Sequence, residues 1–187
     1  MVVSGPSGAG KGTLIQRLLP IFPWVGTAIS ATTRPMREGE VDGRHYHFLA
    51  EDEFVRRIAA GDFLEHVHYA GRRYGTLRSE LNRIRAEGRC PLVEIELQGA
   101  RAMRADMPDA FAVFIAPPSI EALRARLEDR GTDDAAVIEE RMRISAVELA
   151  ARDEFDAVIV NDDVDTAASE LARAVAAACG REGAQGG

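Results

Sequence analysis

The sequence predicts an α/β fold: a parallel β-sheet flanked by helices, carrying a small mixed α/β insert. Three observations predict it. Strand-like apolar runs alternate with amphipathic helical stretches along most of the chain, the pattern that lays helices over both faces of a parallel sheet. Phe111-Ala-Val-Phe-Ile115 is a near-continuous apolar run, as expected of a strand buried on both sides. One segment, 29–76, breaks the rhythm with turn dipeptides and alternating polar and apolar residues. The 187 residues suit a single domain (1–187), with a core of 1–28 and 77–180, the insert at 29–76 and a disordered tail at 181–187.

Taken in order, Met1-Val-Val-Ser4 reads as a strand, short for a central position, that runs into a glycine-rich turn. A helix follows with Leu14, Ile15, Leu18 and Leu19 on one face, closed by Pro20. In the insert, Asp42-Gly43 is a hairpin-turn dipeptide ahead of the alternating run Arg44–Phe48, and a helix spans about Asp52 to Ala60. Leu64–Tyr69 alternates again and leads to a turn at Ala70-Gly71, so the insert reads as mostly antiparallel. It is either a second binding surface or a plain covering layer. Pro91–Leu97 reads as a strand, on which alternation puts Glu94 and Glu96 on one face. Ser119 suits the N-cap of a helix bearing Leu123 and Leu127. A long helix through Glu139 to Ala151, a strand at Ala157–Val160 and a helix from about Asp165 to Cys179 complete the chain, with Gly180 as a C′ glycine.

Hydrophobic content of 46% and charged content of 28% are ordinary for a globular protein. A net charge of −7 argues against a nucleic-acid surface, since phosphate backbones select for basic faces. No apolar run approaches the ~20 residues that span a bilayer, and the first residues lack a signal-peptide pattern, so no membrane partner and a cytoplasmic location are expected. Oligomeric state is not encoded in any recognisable pattern. Basic residues are divided unevenly, as 22 arginines and a single lysine, Lys11. A lysine kept where arginine is otherwise used throughout marks a place that needs a compact charge and not a planar fork.

That lysine lies in Gly5-Pro6-Ser7-Gly8-Ala9-Gly10-Lys11-Gly12-Thr13, which matches the phosphate-loop spacing G-x-x-x-x-G-K and makes the fold P-loop NTPase-like. Gly5, Gly8 and Gly10 let successive backbone N–H groups converge on an anion, and the following helix N-terminus favours negative charge. Gly12 stands where the usual pattern has Ser or Thr, so the hydroxyl nearest a phosphate-bound metal is that of Thr13. A second cluster, Ser30-Ala-Thr-Thr-Arg34-Pro-Met-Arg37, is joined by Tyr46 and by Tyr74-Gly75-Thr76. Two arginines three apart across a proline are presented from a loop, where their forks match phosphate oxygens; taken alone, they read better as two solvated arginines among 22. His45, His47, His66 and His68 alternate on the insert, which permits a metal site but is the ordinary pattern of half-buried packing.

These motifs, together with Gly-Glu-x-Asp-Gly at 39–43, Phe-Leu-Glu at 63–65 and Val-Asn-Asp at 160–162, closely resemble the guanylate kinase family, in order and over about Val3 to Val175. The resemblance implies an ATP:GMP phosphotransferase using ATP with Mg²⁺. It implies that Gly5, Ser7, Gly8, Ala9, Gly10, Lys11, Gly12 and Thr13 bind ATP, with Thr13 toward the metal, and that Asn161 and Asp162 lie on the adenine side. Arg34, Arg37, Tyr46 and Tyr74 would hold the phosphate of GMP, and Ser30, Glu65 and Thr76 its base. The stretch from Arg126 through Arg141 resembles the family's helical lid over ATP, at about 126–145, and Lys11, Arg34, Arg130 and Arg141 would neutralise charge during transfer. The family usually has Asp-x-Asp where this chain has Glu94-Ile-Glu96; both are carried over as acceptor-site residues, while capping of nearby backbone is the alternative. Two other readings stand beside this one: a catalytically silent protein-binding module of the same build, and a kinase for another phosphate acceptor.

Overall fold

The computed structural model describes residues 1–69, 71–129 and 135–180. In chain order the elements are β1 (Val2–Ser4), α1 (Lys11–Leu18), β2 (Val25–Thr27), β3 (Ser30–Thr32), β4 (His47–Phe48), α2 (Glu51–Ala59), β5 (Phe63–Tyr69) and β6 (Arg72–Leu77). They continue with α3 (Arg78–Ala86), β7 (Cys90–Glu94), α4 (Leu97–Asp106), β8 (Ala112–Ala116), α5 (Ile120–Asp129), α6 (Ala135–Ala150), β9 (Ala157–Val160) and α7 (Val164–Ala178). The chain forms two compact units, one of Met1–Pro23, Glu94–Leu97 and Phe111–Gly187, the other of Trp24–Val93 and Gln98–Ala110.

In the first unit β8 pairs in parallel with β1 (Val3↔Val113) and with β9 (Ile115↔Ile159), and all five of its residues are buried. That is the expected α/β arrangement. Residues Leu14, Ile15 and Leu18 of α1 and Ala167, Leu171 and Val175 of α7 are buried, and the two helices pack on each other. Leu123 and Leu127 of α5 close a second cluster with Ile138 and Met142 of α6. Ser119 caps α5 as expected, its Oγ accepting from Ala122 N at 3.1 Å. The start of α7 is capped by Asp163, which accepts from both the N–H and the hydroxyl of Thr166 at 2.8 Å. On β9 only the inner side is covered: Ile159 is buried, while Val158 and Val160 are exposed.

The second unit holds the parallel pair β2–β7 and a four-stranded sheet in the order β4-β3-β6-β5. β6 runs antiparallel to β3 and β5, whereas β4 pairs with β3 in parallel (Ala31↔His47), so no hairpin forms at Asp42-Gly43. The physical reason is local: Asp42 Oδ1 accepts from Phe48 N at 2.8 Å, folding the run back on itself and leaving two residues to pair. Under this sheet Phe54 of α2 stacks on Phe63 at 4.3 Å, with Ala31 and Leu77 beside them. The unit extends beyond the 29–76 segment, taking in β2, α3 and β7. The strand predicted at 91–97 ends at Glu94, and Leu97 already begins α4, so Glu96 lies off the strand. Among the described residues no helix is long and apolar enough to cross a membrane.

Candidate functional site

The glycine loop is built by backbone that side chains disfavour. Gly5, Gly8 and Gly10 have φ of 139°, 94° and 92°. A Cβ on Gly5 would lie 2.1 Å from the Ile115 carbonyl oxygen, and one on Gly10 2.3 Å from Asn161 Nδ2. Glycine is therefore required on two counts at both positions, conformation and space. Gly10 is the N-cap of α1, with no side-chain cap, so the N–H groups of its first turn are left to an anion. Lys11 is buried beside the loop, its ammonium donating to the carbonyls of Gly5 (2.5 Å) and Pro6 (3.2 Å). Ser7 and Gly12 are half-buried, Ala9 is buried and Thr13 is exposed in the first turn. The space around Gly12 is open, with nothing within 4 Å of a Cβ there.

Asn161 sits under this loop. It is 2% exposed and its Nδ2 donates to the Ala9 carbonyl at 2.7 Å, while its own carbonyl accepts from Arg126 Nη2 at 2.9 Å. Its neighbour Asp162 is exposed. Arg141 is half-buried on α6, and Glu148, two turns further along the same face, is 5% exposed. Burial, then the negative charge of Glu96 and a hydrogen bond shared with it, push the Glu148 carboxyl up to about 8, against the pull of Lys11 and the Leu97 N–H. Glu94 as a residue is exposed at the end of β7, yet its carboxyl is shifted upward too, chiefly by desolvation from the protein around it. Lys11 opposes that shift and Glu96 adds to it. Glu94, Glu96 and Glu148 thus form an acidic group at the lysine. Glu148 carries no motif and was missed in the sequence; its seven-residue helical spacing from Arg141 is the one signal that could have marked it. Arg130 lies outside the described residues.

The second unit carries the other predicted set. Ser30 of β3 pairs with Thr76 of β6, and Thr76 pairs with Glu65 of β5, so the three stand in one line across the sheet. A bulge between Phe63 and Glu65 makes this possible: Phe63 pairs with Leu77 in the core, and the extra residue brings Glu65 instead of Leu64 opposite Thr76. Glu65 is 6% exposed and accepts from the Thr76 hydroxyl at 2.8 Å. Tyr74, two residues before Thr76, shares its face, and its ring meets that of Tyr46 edge-on at 6.2 Å. Arg34 lies over Tyr46 at 5.4 Å, while Arg37 is exposed on the same loop. The structure therefore assembles Arg34, Tyr46 and Tyr74 next to the Ser30–Thr76–Glu65 line.

Two further residues brace this unit: Glu80, which belongs to no recognisable motif, and Glu40, the acid of the Gly-Glu-x-Asp-Gly run at 39–43, to which the sequence attached no role of its own. Glu80 is buried at the start of α3, accepting from Ile29 N (3.0 Å) and Arg83 Nη2 (2.8 Å) and meeting His47 Nε2 at 3.1 Å. Glu40 binds Arg34 through both oxygens. His45 accepts from Val41 N at 2.9 Å, so two of the four insert histidines serve local structure.

A glycine loop between a parallel strand and a helix, with a buried lysine on its carbonyls, defines a P-loop nucleotide-phosphate-binding protein. The family profile described as guanylate kinase matches residues 1–178. A guanylate kinase of Frankia casuarinae is 50% identical over 170 residues, covering 91% of this chain and 92% of that protein. One of Prochlorococcus marinus is 45% identical over 178 residues, covering 95% and 94%. The crystal structure of guanylate kinase from Anaplasma phagocytophilum superposes with a TM-score of 0.73 at 30% identity, over 94% of this chain and 83% of that one. The chain belongs to the guanylate kinase family.

Proposed function

We propose that this protein transfers the γ-phosphate of ATP to GMP, giving ADP and GDP. The observation that carries the acceptor is the buried Glu65 carboxylate, in line with Thr76 and Ser30. Guanine offers N1–H and N2–H side by side, and one carboxylate accepts both; adenine presents neither donor there. A buried site made to accept those hydrogen bonds rejects the analogue lacking them by up to ~10⁴–10⁵. Arg34, Arg37, Tyr46 and Tyr74 take the acceptor's phosphate, and the glycine loop takes the donor's.

The acceptor nucleophile is a phosphate oxygen already ionised at neutral pH, so the chemistry needs positioning and charge neutralisation and no general base. Lys11 leaves the Gly5 and Pro6 carbonyls for phosphate oxygens, and Arg130 and Arg141 add positive charge from the lid. Asn161 supports the loop from below, and Asp162, exposed beside it, is the one of the pair open to the adenine edge. Among the described residues no three His, Cys, Asp or Glu side chains are grouped as a metal cage. A single exposed hydroxyl at Thr13 fits magnesium that takes most of its oxygens from ATP and water. Held there, the metal supplies neutralisation of the β- and γ-phosphates.

A panel of nucleoside monophosphates with ATP as donor, followed by a coupled ADP assay, tests the reading. GMP turned over far faster than AMP, CMP or UMP is the expected result; preference for another acceptor would overturn it.

A further inference from the structure

Arg34 has five N–H donors on a flat guanidinium, and the structure shows where three of them go. Its outer edge meets Glu40, Nη1 to Oε2 at 2.9 Å and Nη2 to Oε1 at 2.7 Å. Nη1 also donates to the Pro35 carbonyl at 2.7 Å. The side edge, Nε with the second proton of Nη2, has no partner among the described residues. The rings of Tyr46 and Phe48 lie 5.4 and 5.6 Å from the guanidinium carbon. Glu40 is itself held, because Oε2 accepts from the Arg37 N–H at 2.7 Å. The Arg34 hydrogen bond first, and the Arg37 N–H second, bring its carboxyl down to about 2, so the clamp is charged at neutral pH.

We propose that Glu40 is a positioning residue: by filling the outer edge of Arg34, it turns the remaining Nε–Nη2 fork toward two oxygens of the acceptor's phosphate. Resting on the acceptor reading given above, the idea adds which edge of the arginine binds and what orients it. A guanidinium fixed in advance loses less freedom on binding, and a bidentate fork fits a phosphate only when its plane is set. The contrary role is that Glu40 occupies the phosphate's place and must be displaced. The tie to the Arg37 backbone and the vacant side edge argue against it, and the two roles predict opposite signs.

The test compares wild type, Glu40→Gln, Arg34→Ala and the double variant in the full chain, with GMP and guanosine binding measured by calorimetry. Loss of one charged acceptor at the fork should weaken GMP about tenfold and leave guanosine within about twofold, since guanosine has no phosphate to bind. In the Arg34→Ala background, Glu40→Gln should cost nothing more, because its effect runs through that side chain. GMP binding that is unchanged or tighter in Glu40→Gln overturns the proposal. So does guanosine binding weakened as much as GMP, which marks a collapsed loop, or an additive double variant. Wild type that binds GMP no better than guanosine overturns the acceptor reading together with the clamp; the other failures overturn the clamp alone.

Discussion

Replacing Gly10 by alanine puts a methyl group where the structure has Asn161 Nδ2, 2.3 Å away, on a residue whose φ is 92°. Holding alanine in that left-handed conformation costs about 1–2 kcal/mol. The methyl can be accommodated only if the Asn161 amide swings aside, and its partner is the carbonyl of Ala9, which is fully buried. Stripping a buried carbonyl of its donor costs about 1–3 kcal/mol. The two together give roughly 2–5 kcal/mol, and at about 2–4 °C per kcal/mol for a chain of this size the melting temperature should fall by roughly 4–20 °C. Asn161→Ala alone removes the hydrogen bond without strain and should cost about 1–3 kcal/mol. The double variant should lie well short of the sum, because the collision disappears with the amide. Thermal melts of the four proteins, with ATP binding by calorimetry, read this directly. Additive losses, or Gly10→Ala melting within a degree of wild type, would show that Asn161 does not brace the loop as described.

Lys11→Ala should lower turnover by about 10²–10³, as loss of one donor aimed at developing charge does; near-wild-type turnover would remove lysine from the chemistry. Glu65→Ala should relax selectivity for guanine, read as the GMP to AMP ratio of kcat/KM, and an unchanged ratio contradicts its place at the base. Glu148 gives a pH prediction. The unfolded chain releases its proton near the ordinary value of 4.5 and the folded protein holds it to about 8, so stability should fall as pH rises through that window and level off above it. Glu148→Gln keeps a neutral side chain, and its urea midpoint should decline less than that of wild type between pH 5 and 9, with any slope from Glu94 common to both proteins. Parallel declines would refute the assignment.

The sequence showed elements wherever one residue's neighbours decide the outcome. Ser119 as a cap, the buried run at β8 and the glycine spacing of the loop are set by contacts a few residues apart or by burial on both faces. What escaped it depends on distant pairing. Asn161 reaches Ala9 from 152 residues away, and a motif that suggested an adenine contact could not show an amide turned under the loop. Glu80 gathers Ile29 and His47 from two distant segments, besides Arg83 on its own helix, and in sequence it is an unremarkable acid on a helix. Asp42-Gly43 has the composition of a hairpin, but the Asp42 side chain uses its acceptor on Phe48 and the strand turns parallel. Glu65 was legible as a residue but its aim was not, because the bulge that faces it toward Thr76 leaves no mark in an alternating run.

Because Lys11 is the chain's only lysine and is 7% exposed against the loop carbonyls, amine chemistry on this protein is close to site-specific. Reductive methylation with ¹³C-formaldehyde would place label on a single side chain among these 187 residues. The side-chain resonance then reports from the loop itself. Its labelling rate measures how often the ammonium leaves the Gly5 and Pro6 carbonyls, and its chemical shift follows nucleotide occupancy without any engineered probe.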